Sequence, residues 1–332
     1  MGGDSAPRET VKGALAAARE YDLEIAIVGD PEAIESELTR AGGAPKNLSV
    51  VPASDAIAMD EKSVVQAVQR RRDASINVAM ALLKQGQAQA VVSAGHTGAI
   101  MASAYFRLGR IPGIERPALG TLLPFNEGKV FLLDVGANPD CKPAYLVQFA
   151  HMGAAYMEKV VGIANPRVGL LNLGTEDNKG SELVQEAYPR LRDSSLNFVG
   201  NVEGVEVHKG VADVVVTDGF TGNIGLKVGE GIADYILEQV RSVIKSSPLF
   251  IAASLLLKPA LKRALKRLQY DEYGGAQLIG VNGVVVIAHG RSDANAIKNA
   301  IRIAHMASES DLLTAIAESA APSPRLAGAA LP

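Results

Sequence analysis

A mainly parallel α/β sheet covered by helices on both faces, three-layered and Rossmann-like, is the fold class this sequence predicts, and three observations predict it. Short β-branched or apolar runs alternate with amphipathic stretches at helical spacing, separated by Gly, Asn, Asp and Thr turns, the pattern of repeated βα units. Runs such as Val214–Thr217 are β-branched at successive positions, so both faces of those strands need cover. The 332 residues, 48% hydrophobic, suffice for one large core.

Taken in order, strands are expected at Leu23–Val28, Leu48–Val51, Ala90–Ser93, Val130–Val135, Arg167–Leu173, Asn197–Val199, Val211–Thr217 and Val284–Ile287. Between them, helices are expected at Thr10–Tyr21, Pro31–Arg40, Lys62–Gln85, Gly98–Arg107, Lys142–Val160, Ser181–Tyr188 and Asn223–Lys245, with another after Asp293. Residues 1–310 read as a single catalytic domain with a protruding segment at 246–270, and the Ala/Pro/Gly-rich residues 320–332 as a disordered tail.

A formal net charge of −3 excludes the global basic field of a nucleic-acid binder. One cysteine, Cys141, forbids an internal disulfide and suits a reducing cytoplasm. Met1–Pro7 is polar and Gly-rich, unlike a signal peptide, and the apolar run Leu249–Leu257 is about half a bilayer span.

Ligands of open parallel sheets bind beyond the carboxyl ends of strands, so the loops that follow strands are the candidate sites. In Ser93-Ala94-Gly95-His96-Thr97-Gly98, small residues let backbone amides and a helix N-terminus face a phosphate, or make a tight turn capped by Thr97. The loop from Asp134 to Lys142 carries acidic and amide groups, including Asn138, with Asp140 placed to cap the next helix; its carboxylates and thiol lack any metal-ligand spacing. The loop Asn172–Gly180 holds Lys179, a cation suited to a phosphate or simply to solvent. Asp218-Gly219-Phe220-Thr221-Gly222-Asn223 offers a second helix start for an anion, with Thr221 or Asn223 as its cap. No Gly-x-Ser-x-Gly elbow is present, and no Gly-x-Gly-x-x-Gly follows a strand, which argues against a serine hydrolase and a dehydrogenase.

In order along the chain, Gly2-Gly3-Asp4 with Ala6-Pro7, Ser93 to Ala99, Gly109-Arg110-Ile111 with Glu115-Arg116-Pro117-Ala118, Asp134 to Lys142, Asn201-Val202-Glu203-Gly204, Asp218-Gly219-Phe220 with Gly222-Asn223, and Tyr273 to Ala276 resemble the phosphate acyltransferase (PlsX) family of bacterial phospholipid synthesis. The resemblance runs from Met1 to about Ala300. It implies a fold similar to the phosphotransacetylase and isocitrate dehydrogenase-like group, and a homodimer without cofactor. It also implies transfer of an acyl group from acyl carrier protein to inorganic phosphate, for a downstream membrane acyltransferase that acylates glycerol 3-phosphate. Two departures stand out: His96 occupies a position that is commonly Asn, and Ser5 one that is commonly His. The family's short apolar strand ahead of Gly2-Gly3-Asp4 is also missing here, so the sheet is expected to lack a strand.

Within this reading, amides of Gly95–Gly98 and Gly222–Asn223 together with Lys179 hold phosphate against the thioester carbonyl, and Asp4, Asp134 and Asp218 orient the donors or a phosphate proton. Rival readings are a short-chain phosphotransacetylase using acyl-coenzyme A and a non-catalytic scaffold for the carrier protein. Finally, Leu257, Leu261, Ala264, Leu265 and Leu268 share one face of a basic amphipathic helix whose other face carries Lys262, Arg263, Lys266 and Arg267. That segment suits an anionic bilayer, the acidic carrier protein or a second subunit.

Overall fold

The computed structural model describes residues 1–125, 128–254 and 274–320. The proposed bilayer- or partner-facing residues Leu257, Leu261, Lys262, Arg263, Leu265, Lys266 and Arg267, and the tail from 321 onward, lie outside the described residues.

Eight strands form one mixed, mostly parallel sheet, in the order β3 (Ala90–Ser93), β10 (Val284–Ile287), β9 (Ala276–Ile279), β4 (Ala118–Phe125), β5 (Gly128–Leu133), β8 (Val214–Val216), β6 (Arg167–Asn172) and β7 (Asn197–Glu203). Pairing is parallel at β3–β10 and throughout β5–β8–β6–β7, and antiparallel at β10–β9, β9–β4 and β4–β5. The sheet therefore holds two parallel groups of opposite direction joined through antiparallel strands. As predicted from its run of valines, β8 is central and fully buried on both faces. Helices cover the two sides: α6 (Pro143–Tyr156) packs Leu146, Phe149 and Met152 into one core, while α3 (Val64–Arg70), α4 (Ser75–Lys84) and α5 (Thr97–Arg107) close the other.

The sequence reading missed β4 and β9, the two strands that reverse direction. Pro117, Pro124 and the mid-strand Gly120 disguise β4, yet Gly120 is required: a Cβ there would stand 2.3 Å from the ring of Phe131 on β5. The single helix expected over Lys62–Gln85 is instead two. Asn77 donates to the carbonyls of Val68 and Arg71, both at 2.8 Å, satisfying the end of α3 where the chain breaks before α4. Conversely, α7 (Glu182–Arg192) runs through Pro189, where it was expected to stop; Pro189 and Gln185, whose carbonyl loses its helical donor, are both exposed.

A separate parallel pair, β1 (Ile25–Gly29) and β2 (Leu48–Pro52), packs on α1 (Arg8–Tyr21) and α2 (Pro31–Arg40). Between β1 and β3 lies a cavity of about 470 Å³, lined by both strands, by Ile76 and Ala79 of α4 and by Ile301 and Ala304 of α9 (Ala294–Ser308). Among the described residues, both strands have a sheet partner on one side only. The chain continues beyond α9 into α10 (Leu312–Ala320), which buries Leu312 and Ile316 against the α6 core. Among the described residues, no helix is long and apolar enough to cross a membrane.

Candidate active site

The loop after β5 is wrapped around one carboxylate. Asp134 is fully buried; its Oδ1 accepts from the amides of Leu119 (3.1 Å), Gly136 (3.0 Å) and Ala137 (2.9 Å), and its Oδ2 from the amide (2.7 Å) and Nδ2 (2.8 Å) of Asn138. Five donors saturate the roughly four lone-pair sites of a carboxylate. Asp134 therefore shapes this loop and has no acceptor left for a substrate proton, which corrects the catalytic half of its expected role. Asn138 is likewise committed, its Nδ2 also donating to the carbonyl of Pro117 at 2.8 Å. Asp140 caps nothing; α6 opens on Pro143 after Lys142, without a side-chain cap.

Against this loop stands the start of α8 (Gly219–Lys245), four residues earlier than expected because Asp218 is the cap. Its carboxylate accepts from the Thr221 amide at 2.9 Å and the Thr221 hydroxyl at 2.7 Å. Neither Thr221 nor Asn223 caps the helix. Gly219 donates to the carbonyl of Asn138, and a Cβ on Gly222 would lie 1.9 Å from the carbonyl oxygen of Asp134. Gly222 itself donates to Asp218 O at 3.0 Å and Asn223 sits inside the helix, so the amide this end leaves open is that of Phe220 rather than those of Gly222 and Asn223.

A second group gathers at the carboxyl ends of β3 and β10. Gly2 and Gly3 press on Gly95 and Ala94, and the amide of Asp4 donates to Gly290 O at 2.8 Å, leaving the Asp4 carboxylate exposed. In the loop before α5, Gly95 donates to Ser93 Oγ at 3.2 Å and Gly98 to His96 Nδ1 at 3.1 Å. His96, not Thr97, is thus the cap of α5, which gives its departure from the family pattern a structural role. With Nδ1 accepting, the neutral ring carries its proton on Nε2. The amides of His96 and Thr97 remain open, at the positive end of α5.

Lys227, one residue past the second turn of α8, joins this second group and was not singled out from the sequence. Its ammonium lies 3.3 Å from His289 Nε2 and 3.0 Å from Glu230. Burial, then the charges of Lys227 and Arg291, hold the imidazolium form of His289 below the usual histidine range. Only the helical spacing along α8 could have found it: nine residues, about 13 Å, separate Asp218 from Lys227, so the helix spans from one loop group to the other. Lys179 stands apart on the loop after β6, exposed, with no side-chain partner among the described residues. Cys141 is no nucleophile, its thiol pushed up to about 12 by burial and by the Asp134 charge.

The lowered histidines give a stability prediction. Burial also holds His151 below its ordinary value, so near and below pH 6.5 the unfolded chain binds more protons than the folded one. The stabilisation is fully present above about pH 6.5 and is lost as pH falls through the lowered folded values. Tm should fall between pH 7.5 and 5.5, and His151→Asn should flatten the slope; a Tm that holds level across this range would contradict it.

Residues 1–314 match the family model described as "Fatty acid synthesis protein". A phosphate acyltransferase of Heliobacterium modesticaldum is 54% identical over 319 residues, spanning 96% of this chain and 95% of that protein. One of Nostoc punctiforme is 50% identical, over 95% and 93%. Among solved structures, a phosphotransacetylase from Streptococcus pyogenes superposes with a TM-score of 0.63 at 19% identity, covering 92% of each chain. A branched-chain phosphotransacylase from Enterococcus faecalis gives 0.53 at 17%, covering 92% of this chain and 96% of that one. At such identity these two speak for the fold alone: the Rossmann-like, phosphotransacetylase-type architecture expected from the sequence. With near-complete coverage at about half identity, the chain belongs to the phosphate acyltransferase family of enzymes.

Proposed function

We propose that this chain moves a fatty acyl group from the thioester of acyl carrier protein to inorganic phosphate, releasing the carrier thiol and forming an acyl phosphate. The observation that carries this reading is the pair of helix N-termini, α5 and α8, with open amides at His96, Thr97 and Phe220, in a chain about half identical to proteins named phosphate acyltransferase. Phosphate is already an anionic nucleophile at neutral pH and a thiolate is a good leaving group, so the chemistry asks for placement and for donors to the tetrahedral oxyanion. No acyl-enzyme is needed, in keeping with the raised, half-buried thiol of Cys141.

In this reading the amides of His96 and Thr97, with Gly95 and Gly98 permitting close approach, receive phosphate. Lys227 and Lys179 are the candidate neutralising cations, and Asp4 and His289 face the exposed side. Asp134, Asn138 and Asp218 hold the second helix start in place. Residues 1–310 act as one catalytic unit in a homodimer, in the cytoplasm and at the inner face of the membrane, where 246–270 contacts lipid and the product passes to a membrane acyltransferase.

The test compares donors and varies Lys179. Palmitoyl-acyl carrier protein should be used at least tenfold more efficiently than acetyl- or palmitoyl-coenzyme A; the reverse preference would make this a phosphotransacetylase. Lys179→Ala should raise the phosphate KM about tenfold, the loss of one charge-assisted contact. An unchanged KM and kcat would remove Lys179 from the site.

A further inference from the structure

At the carboxyl end of β10, the ring of His289 is anchored through one nitrogen and directed at α8 by the other. The backbone amide of Arg291 stands 3.3 Å from Nδ1, and an amide N–H can only donate, so the neutral ring carries its proton on Nε2. Nε2 faces Lys227 Nζ at 3.3 Å. An ammonium and an imidazole N–H are both donors and do not bond to each other; what joins them is an oxygen that accepts from both. Glu230 fixes Lys227 at 3.0 Å, and the Arg291 guanidinium is engaged by Asp234 at 3.5 Å and Glu230 at 4.0 Å. The Asp4 carboxylate lies over Gly290. Burial, then the charges of Lys227 and Arg291, disfavour the imidazolium form, so the ring stays a neutral donor.

We infer that His289 Nε2–H and Lys227 Nζ form the oxyanion hole of the acyl transfer proposed above, donating together to the thioester carbonyl oxygen as it becomes negatively charged. The inference rests on that reading and assigns it two catalytic residues. Placement selects the carbonyl oxygen rather than phosphate. β10 lies beside β3 in parallel register, Ile287 opposite Ser93, and Ala288 donates to Ser93 O at 2.9 Å. The loops that follow therefore leave the sheet side by side, one strand spacing of about 4.8 Å apart. The open amides of His96 and Thr97 serve the phosphate, and the His289–Lys227 pair, one strand over, serves the group that phosphate attacks. An oxygen of the hydrogen phosphate dianion attacks the carbonyl carbon; the new C–O bond forms and the C=O π pair moves onto the carbonyl oxygen, where both donors meet it. On collapse that pair re-forms the carbonyl, the C–S bond breaks, and the departing thiolate takes the proton of the phosphate hydroxyl, giving acyl phosphate and free thiol. No proton passes through His289, so a ring held neutral by its surroundings suits the role.

The test reads kcat and the phosphate KM separately, with palmitoyl-acyl carrier protein as donor, on variants whose far-UV spectrum and Tm match wild type. His289→Leu, which keeps the bulk and removes the donor, should lower kcat roughly 100- to 1,000-fold and move the phosphate KM by less than about threefold. His289→Gln, whose amide N–H stands near the position of Nε2, should bring kcat back to within about tenfold of wild type. Lys227→Met should lose kcat as His289→Leu does, and the double variant should lose far less than the product of the two single losses, as donors acting on one oxygen do. Overturning results are a kcat of His289→Leu within about threefold of wild type, a raised phosphate KM at intact kcat, a glutamine variant no more active than the leucine one, or fully multiplicative losses in the double variant. A wild-type chain whose thiol release does not depend on phosphate overturns the acyl-transfer reading and this inference with it; a wild-type chain that transfers, beside a His289→Leu chain that transfers equally well, overturns the inference alone.

Discussion

Asp134→Asn should be among the most damaging single-atom changes available in this protein, lowering stability by on the order of 3–5 kcal/mol and activity by at least a hundredfold. The carboxylate takes five hydrogen bonds at full burial. An amide offers one acceptor oxygen and turns an NH2 group toward donors, so whichever way it is placed, two or more buried N–H groups lose their partner, at about 1–3 kcal/mol each. Those donors belong to Asn138, Gly136, Ala137 and Leu119, so the loop that receives α8 loosens with them. Urea unfolding and turnover measured on the same preparation check this; a midpoint shift worth less than about 1 kcal/mol would mean the loop does not depend on the carboxylate.

Gly222→Ala should leave a folded protein with little activity. The added Cβ would stand 1.9 Å from the Asp134 carbonyl oxygen and 2.9 Å from Thr217, so the start of α8 has to move by more than 1 Å. A displacement of that size at a positioning element costs about a hundredfold in rate. Gly204→Ala, where a Cβ meets nothing within 4 Å, should change stability by no more than about 0.5 kcal/mol and leave turnover intact. Equal activity of the two variants would show that α8 does not position the reaction.

The fold was legible where local pattern and tertiary demand agree. Valine runs announced β8 and β10, and the glycine loops after β3 and β8 announced two helix starts. β4 and β9 were hidden by local composition: Gly120 and Pro124 interrupt β4, and the four residues of β9 are flanked by Gly274, Gly275 and Gly280, so both read locally as turn. At the site, the sequence located the loops and mistook which atoms in them are open. Helix boundaries decide that: a start at Gly219 consumes the Gly222 amide, and a histidine cap frees Thr97. Lys227 carries no local signal at all; it becomes visible only once α8 is laid across His289.

The most direct test of the central claim mixes the purified chain with palmitoyl-acyl carrier protein and follows free carrier thiol with and without inorganic phosphate, trapping product with hydroxylamine. Thiol release that requires phosphate, with one palmitoyl hydroxamate formed per thiol, is the predicted result. Release that proceeds equally without phosphate would make the chain a thioesterase, and binding of the donor without release would make it a carrier-protein scaffold; either contradicts transfer to phosphate.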